Sequence, residues 1–356
     1  MMIKPVKSKS LAIAALGISC IALGQDVPLA QRVDSRYKAA AADGFSGSAL
    51  VVKAGRVVLT GGYGLADRAA KRQIQPSTIF PIGSVTKWFT AMVVLRLEQE
   101  KKLKLSDPIS LYIPGVPADK AKITIENLLA HTAGLGEYVD RPGEGGDFAP
   151  IDKATALKRI LGEKLKFVPG KRTEYSNEGY TLLAVVIEKA TRRPYEECVR
   201  NHIFRPAKLN RTGFFGEQKW PASEFAIGYN AKSHGTVNCP YYWGAPTWSI
   251  KGAGGIVSTC EDLGKVILAL TQGKILDAAH EPRMFQPLFQ QEGFGWMVGR
   301  TMAGEPFCNV GGGDNFGFQT AVLYLPRSGN IVITCSNSDT PNKMRDANLD
   351  VMKSLK

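Results

Sequence analysis

Two short motifs, Ser84-Val85-Thr86-Lys87 and Tyr175-Ser176-Asn177, constrain this chain more than any other feature. A serine and a lysine three residues apart lie on one face of a helix, one turn from each other. A lysine there can act as a base only after it has lost its proton, which burial beside other polar groups favours. The second motif adds a phenol and an amide. Together they supply the groups of a serine acyl-transfer site that uses no histidine.

The Ser-x-x-Lys pattern is weak by itself, because a chain of this length contains about one match by chance. A second copy, Ser35-Arg36-Tyr37-Lys38, lies in a polar segment that predicts an exposed helix face. Ser84 differs, because it follows an apolar stretch and begins a strongly apolar helix. Its hydroxyl is therefore expected near a helix N-terminus, where free N–H groups favour developing negative charge. The alternative interpretations are a plain N-cap at Ser84 and a capped turn at 175–177.

The first 24 residues predict a signal peptide. Three lysines precede an apolar run at 11–24, and Ala22-Leu23-Gly24 is a small-x-small cleavage site. The run is too short to span a bilayer, and no later segment is long and apolar enough to do so. We therefore expect a periplasmic or secreted protein with no integral membrane segment after cleavage. A lipid anchor at Cys20 is the alternative, and residues 17–19 are a poor lead-in for it.

The formal net charge is +13, and the basic residues are scattered along the chain. They form no stripe with interleaved aromatic residues, which argues against a nucleic-acid partner. The positive net charge has two interpretations: it keeps the protein soluble, or it allows association with anionic polymers of the cell envelope. Five cysteines follow the signal peptide without a Cys-x-x-Cys pair, so zinc-ligand spacing is absent. The odd number leaves at least one thiol unpaired within the chain. We predict neither a metal nor a cofactor.

Strand patterns at both ends of the chain, with helical patterns between them, predict an α+β fold. Strands are expected in a hairpin around 53–56 and at 317–325 and 330–335. Helices are expected at 84–101, from 124, and at 179–190, 261–270 and 341–355. The simplest assembly is one antiparallel sheet made from strands of both ends. A mostly helical insertion at about 84–250 would pack on it, with the site in the seam. We expect residues 25–356 to form one domain.

The order of the motifs and five longer segments resemble the penicillin-recognising serine hydrolases, a family of class C β-lactamases, D-Ala-D-Ala carboxypeptidases and serine esterases. These segments are 80–87, 123–135, 169–180, 253–259 and 313–318. The resemblance covers essentially residues 45–345. It implies a β-lactamase/transpeptidase-like fold, in which an antiparallel sheet is flanked by helices and accompanied by a mostly helical subdomain. It also implies that His131, within the second segment, is a structural, hydrogen-bonded histidine.

The resemblance implies that Ser84 attacks a carbonyl and forms an acyl-enzyme. Lys87 and Tyr175 would take up and return the serine proton, and which of the two is the base stays open. Asn177 would orient Lys87 and the substrate amide. The oxyanion would be held by the backbone N–H of Ser84 and by a second N–H on the glycine-rich strand, that of Asp314.

The third family motif is where this chain departs from the pattern. The family has Lys-Thr-Gly, His-x-Gly or Trp-x-Gly there, whereas this chain has Gly311 at the first position and Gly313 at the third. A lost charge-assisted hydrogen bond to a substrate carboxylate costs about 1.5–3 kcal/mol. We therefore predict hydrolysis of esters or small amides, with at most slow β-lactam turnover. Specificity is expected in the irregular loops at 137–150 and 220–251.

Two other functions stay open. One is a D,D-carboxypeptidase or β-lactamase acting on cell-wall peptides or penicillins, which fits export but not the missing third-motif side chain. The other is a catalytically decayed penicillin-fold binding protein. The intact set of Ser84, Lys87, Tyr175 and Asn177 favours an enzyme over that alternative. In every case the expected partner is a small molecule or a peptide.

Overall fold

The computed structural model describes residues 27–136, 146–230, 236–314, 316–338 and 340–355. The predicted signal peptide lies outside these residues. Within them, no helix is both long enough and apolar enough to cross a membrane. The five cysteines after the predicted signal peptide have buried, free thiols.

The described residues form eight α-helices and eleven β-strands. The helices are α1 (Val27–Ala42), α2 (Thr86–Gln99), α3 (Ile125–Leu129), α4 (Lys153–Gly162), α5 (Asn177–Thr191), α6 (Tyr195–Val199), α7 (Cys260–Thr271) and α8 (Pro341–Ser354). The strands are β1 (Gly47–Lys53), β2 (Arg56–Tyr63), β3 (Leu65–Asp67), β4 (Arg72–Gln73), β5 (Phe80–Pro81), β6 (Gly213–Phe214), β7 (Ile256–Ser258), β8 (Met297–Arg300), β9 (Pro306–Gly313), β10 (Gln319–Leu325) and β11 (Asn330–Ser336).

One six-stranded antiparallel sheet, in the order β2-β1-β11-β10-β9-β8, joins the two ends of the chain. Its central pairing sets Gly47 of β1 opposite Ser336 of β11. The predicted hairpin is present between β1 and β2. Ala54 and Gly55 both have positive φ there, of 49° and 77°, as a two-residue hairpin turn requires. The prediction of an α+β fold, with one antiparallel sheet made from strands of both ends, is confirmed.

Helices cover both faces of the sheet. Side chains of β1 alternate between the faces, because successive residues of a strand point in opposite directions. Ala49 and Val51 pack in a small cluster under α1 and α8, together with Tyr37. Leu50 and Val52 belong to the main core, which the sheet shares with the rest of the helices. Each face of the sheet therefore has its own hydrophobic layer.

Helix α2 runs through the main core and is apolar on all sides. Every residue from Thr86 to Leu95 is buried, as expected for a helix without a polar face. Trp88 stacks on Trp296, with ring centroids 5.2 Å apart. The predicted helix at 84–101 is close to α2, but its first residues differ. Gly83–Val85 form a 3₁₀ turn, in which the Val85 N–H donates to the carbonyl oxygen of Ile82.

Two other element boundaries differ from the sequence prediction for local reasons. Helix α3 begins where expected, with Thr124 as its N-cap, but ends at Leu129. His131 has a φ of 55°, and such a left-handed residue ends a helix. The strand expected at 317–325 begins at Gln319, because Gly317, with a φ of 95°, still belongs to the turn before it.

Candidate active site

Ser84 lies in the 3₁₀ turn between β5 and α2, at the N-terminal end of the buried helix. The first N–H groups of a helix lack acceptors within the helix and favour negative charge. Strand β9 passes directly beside this turn. A Cβ atom on Gly312 would lie 2.0 Å from the Ile82 carbonyl oxygen and 2.8 Å from the Ser84 nitrogen. Only glycine lets β9 run this close to the serine.

The hydroxyl of Ser84 contacts both basic groups that the motifs predict. Ser84 Oγ is 2.6 Å from Tyr175 Oη, and either atom can be the donor. The Lys87 ammonium donates to Ser84 Oγ at 3.1 Å. The serine and the lysine face each other one helical turn apart, as their spacing predicts. The tyrosine comes from a segment about ninety residues later in the chain, immediately before α5.

Lys87 is buried, with 2% of its surface exposed. Besides Ser84 Oγ, its Nζ donates to Asn177 Oδ1 at 2.7 Å and to the carbonyl oxygen of Ala253 at 3.2 Å. An ammonium group has three protons to donate, and each of these oxygens can accept one of them. Nζ also lies 4.7 Å from the centre of the Tyr175 ring, over its face. The buried charge is therefore paired with oxygen and aromatic partners, as burial of a charge requires.

The start of α5 holds Tyr175 and Asn177 in place. Ser176 is the N-cap residue of this helix, and its Oγ accepts from the Gly179 N–H at 3.2 Å. Asn177 is the first helical residue. Tyr175 lies just outside the helix and keeps 48% of its surface exposed. The amide is therefore turned towards the buried lysine, while the phenol stands at the entrance of the site.

The N–H predicted as the second oxyanion donor, that of Asp314, already has an acceptor in the protein. The Asp314 N–H donates to the carbonyl oxygen of Phe318 at 3.2 Å and is committed to the β9–β10 turn. Hydrogen-bonding directions alternate along an antiparallel strand, so the N–H of Gly313 points away from β10. Gly313 N also lies close to the nucleophile turn, since a Cβ on Gly83 would lie 2.8 Å from it. Gly311 is exposed, and a Cβ atom there would meet only the Thr320 carbonyl oxygen, at 3.8 Å.

The side chain of Asp314 closes the turn between β9 and β10. Its Oδ1 accepts from the N–H groups of Phe316 at 2.8 Å and of Phe318 at 3.1 Å. Burial raises the pKa of Asp314 to about 7, and the nearby Asp147 carboxylate adds to the rise, against the effect of these two hydrogen bonds. The carboxyl group therefore changes charge near neutral pH.

A cleft opens beside Ser84, and the described parts of both loops expected to carry specificity line it. Its aromatic wall consists of Phe148, Phe215, Trp243 and Phe316. Ring centroids of Phe148 and Trp243 are 4.9 Å apart, so this wall is tightly packed. The carboxylates of Asp147 and Asp314 also border the cleft. Among the described lining residues there is no lysine or arginine, and the buried ammonium of Lys87 lies directly behind Ser84.

Comparisons with known proteins now identify the family. Residues 31–355 match the family model described as Beta-lactamase. The chain belongs to the β-lactamase family. PbpX of Bacillus subtilis (strain 168) is 36% identical over 248 residues, which cover 68% of this chain and 59% of PbpX. The teichoic acid D-alanine hydrolase of Staphylococcus aureus (strain MRSA252) is 31% identical over 256 residues, which cover 70% of this chain and 59% of that hydrolase.

A solved structure shows the same fold. The crystal structure of FmtA from Staphylococcus aureus superposes with a TM-score of 0.76 at 25% identity, covering 92% of this chain and 88% of FmtA. The chain spans about 59% of the length of the two curated relatives above. The fold expected from the resemblance, a β-lactamase/transpeptidase-like α+β fold, is confirmed.

Within this member of the β-lactamase family, the structure brings together most of the residues that the sequence predicts. Ser84, Lys87, Tyr175 and Asn177 form one hydrogen-bonded group. Gly313 and Asp314 border the same cleft as Ser84, whereas Gly311 does not. The second Ser-x-x-Lys pair, Ser35 and Lys38, is exposed on α1, far along the chain from any of these groups.

Sequence reasoning missed two contributors to the site and one contact of a third. The carbonyl of Ala253 holds Lys87, although only its position in a family-like segment singles it out. Asp147 lies in a loop expected to carry specificity, but no motif marks it. His131 is buried and hydrogen-bonded, as predicted, and its ring also lies 4.8 Å from the ring of Tyr175. That contact depends on tertiary structure, since the two residues are 44 positions apart.

Proposed function

We propose that this chain is an exported serine hydrolase that acts through a Ser84 acyl-enzyme on esters and small amides. The observation that carries the proposal is the pair of contacts at Ser84 Oγ, 2.6 Å to Tyr175 Oη and 3.1 Å to Lys87 Nζ. A nucleophile needs a proton acceptor within hydrogen-bonding distance. This geometry supplies one, with a buried charge beside it.

In the acylation step, Ser84 Oγ attacks the substrate carbonyl and loses its proton to the Tyr175–Lys87 pair. The same pair returns the proton to the leaving alcohol or amine. Tyr175 Oη is the nearest acceptor, and Lys87 holds its position through Asn177 and Ala253. Because Lys87 Nζ lies 3.1 Å from Ser84 Oγ and over the Tyr175 ring, its positive charge is well placed to stabilise negative charge on the phenol or the serine oxygen.

The negative oxygen of the tetrahedral intermediate would be held by two backbone N–H groups. The N–H of Ser84 lies in the first turn of the helical segment, and the nitrogen of Gly313 lies close to the same turn on β9. Backbone donors do not depend on the third-motif side chain, so its absence leaves this part of the site intact. Water would then release the acyl group, activated by the Tyr175–Lys87 pair.

The charge of the cleft narrows the substrate class. Two carboxyl groups, those of Asp147 and Asp314, border the cleft, and the second of them is charged above about pH 7; the third-motif cation that would bind a substrate carboxylate is missing. Anionic substrates would be repelled, whereas neutral or ammonium-bearing ones would be accepted. A relative is named a teichoic acid D-alanine hydrolase, and alanyl esters carry such an ammonium group. We therefore place D-aminoacyl esters and amides among the preferred substrates, ahead of penicillins and carboxylate-bearing peptides.

The reaction class is tested with p-nitrophenyl butyrate and purified residues 25–356. Wild type should release p-nitrophenol, and Ser84→Ala should not. Ser35→Ala, which alters the exposed second Ser-x-x-Lys pair, is the matched control and should behave like wild type. Intact-mass analysis should show an acyl adduct on wild type and none on Ser84→Ala. An absence of both turnover and adduct in wild type would favour the decayed binding protein.

A charge series then tests the substrate class. Three p-nitroanilides share the D-alanyl group and differ in charge. That of D-alanine carries a positive charge, that of N-acetyl-D-alanine is neutral, and that of N-succinyl-D-alanine carries a negative charge. We expect kcat/KM to fall in that order. The reverse order, together with rapid penicillin hydrolysis, would favour the carboxypeptidase or β-lactamase alternative. Export is tested separately, by N-terminal sequencing of the secreted form for a start at Gln25.

A further inference from the structure

His131 contacts the tyrosine segment at three points. Its Nδ1 accepts from the N–H of Ser176 at 3.2 Å, and its carbonyl oxygen accepts from the N–H of Glu174 at 2.9 Å. Between these two bonds, its ring lies against the ring of Tyr175, with centroids 4.8 Å apart and planes tilted by 32°. The residues on both sides of Tyr175 and the tyrosine ring itself are thus held by one residue.

The hydrogen bond from the Ser176 N–H to Nδ1 forms in only one protonation state of the imidazole. A backbone N–H is always a donor, so Nδ1 must be an unprotonated acceptor, and the ring proton of the neutral form is on Nε2. Burial, and then the positive charge of Lys87, lower the pKa of His131 to about 3. The ring therefore remains neutral over the working pH range, and it adds no second cation beside Lys87.

The backbone at His131 is also unusual. Its φ of 55° lies in the left-handed region, which costs a non-glycine residue about 1 kcal/mol or more. That conformation ends α3 and turns the His131 side chain and carbonyl towards the tyrosine segment. Tyr180 of α5 packs on the ring as well, at 5.2 Å, so the imidazole is fixed from both sides. A merely space-filling residue would need neither the strained backbone nor the acceptor nitrogen.

We propose that His131 is a positioning residue, which holds the Tyr175 hydroxyl against Ser84 Oγ through the Ser176 N–H and the face of the tyrosine ring. Tyr175 needs such support, because it precedes α5 and has almost half of its surface exposed. The inference rests on the proposed function, since it assumes that Tyr175 handles the serine proton. A displacement of about 1 Å at a reacting group can cost as much as a hundred-fold in rate.

The test uses His131→Leu and His131→Asn, with p-nitrophenyl butyrate as substrate. Leucine removes the acceptor nitrogen and the planar ring. Asparagine keeps a side-chain acceptor at a similar distance and adopts left-handed φ readily. We expect His131→Leu to lower kcat about ten- to a hundred-fold with little change in KM, and His131→Asn to recover part of the loss. His202→Leu is the control, because that half-buried histidine lies beside Glu100 at the opposite end of α2.

A double-mutant cycle separates positioning from general stabilisation. The rate of Ser84 acylation is measured by intact mass, so that slow variants stay measurable. In a Tyr175→Phe background, which lacks the hydroxyl to be positioned, His131→Leu should cause little further loss. The proposal would be overturned if His131→Leu lowered the acylation rate by the same factor in wild type and in Tyr175→Phe. An unchanged kcat in folded His131→Leu would overturn it as well. If His131→Leu does not fold, His131→Asn is carried through the same cycle with the same criteria. If wild type itself shows no Ser84-dependent acylation, the proposed function fails first, and this inference with it.

Discussion

Gly312 of β9 and Ser84 of the nucleophile turn are in contact through their backbones. A Cβ atom on Gly312 would lie 2.8 Å from the Ser84 nitrogen, and nearer still to the carbonyl oxygen of Ile82. The strand that is expected to bind substrate is therefore set directly against the serine. Because Gly312 has no side chain, the Gly313 N–H can lie close to the nucleophile.

The first prediction concerns this contact. Gly312→Ala should displace β9 from the nucleophile turn, lower kcat/KM by about ten-fold or more and destabilise the fold by about 1–3 kcal/mol. Activity with p-nitrophenyl butyrate and thermal unfolding measure the two effects. Gly311→Ala is the matched control for stability, because its Cβ would meet only the Thr320 carbonyl oxygen, at 3.8 Å. Equal Tm values for the two variants would contradict the steric argument.

A second prediction concerns the amide that holds the buried lysine. Asn177→Ala removes the shortest of the three hydrogen bonds to Lys87 Nζ. A hydrogen bond to a charged group contributes about 1.5–3 kcal/mol, so kcat/KM should fall about ten- to a hundred-fold. Asn201→Ala is the comparison, because its amide bonds only weakly to Glu197, at 3.4 Å. If both variants keep wild-type kinetics, Asn177 does not orient the lysine.

The third prediction concerns the pH dependence of substrate binding. With its pKa near 7, Asp314 is neutral below that pH and negatively charged above it. The KM of D-alanine p-nitroanilide, expressed for its ammonium form because the α-amino group begins to lose its proton near pH 7.5, should therefore fall by about two- to five-fold as pH rises from 6 to 7.5, while the KM of p-nitrophenyl butyrate stays level. Asp314→Asn keeps the Oδ1 acceptor for Phe316 and Phe318, and it should remove the difference. A pH-dependent KM that survives in Asp314→Asn must come from another group.

A fourth prediction concerns stability at acid pH. His131 has a native pKa of about 3, below the value near 6.5 of an unfolded histidine. Its contribution to stability is therefore complete above pH 6.5 and is lost as pH falls towards 3, by about 1.4 kcal/mol per pH unit. Asp314 has the opposite effect on stability. Because its native pKa is raised to about 7, its contribution to the free energy of unfolding is complete below about pH 4 and is lost as the pH rises to about 7.

Chemical unfolding of wild type and His131→Asn between pH 4 and 8 isolates the histidine contribution, because Asp314 is common to both. We expect the stability advantage of wild type to shrink steadily as the pH is lowered below 6.5. A constant difference across this range would contradict the prediction, because it would mean that His131 binds the same number of protons in the native and the unfolded protein.

The sequence was sufficient for the features that depend on local spacing. Ser84 and Lys87 are three residues apart on one helix, so their meeting follows from helical geometry alone. The hairpin at Ala54 and Gly55 follows from local turn chemistry, and strand patterns at both ends of the chain predicted the sheet. The longer segments identified the family, and with it the meeting of Tyr175 and Ser84 across about ninety residues.

Tertiary structure decided what depends on packing between distant segments. Spacing along the chain does not show which N–H of a glycine run faces the serine, because that depends on strand register. Register sets Gly312 against Ile82 and commits the Asp314 N–H to Phe318. Similarly, the contact of His131 with Tyr175 arises only when the end of α3 packs against the start of α5, and Asp147 and Asp314 meet at one cleft only when the turn at 146–148 packs near the end of β9. A one-residue change in strand register turns each backbone N–H to the opposite side, which leaves no trace in composition or periodicity.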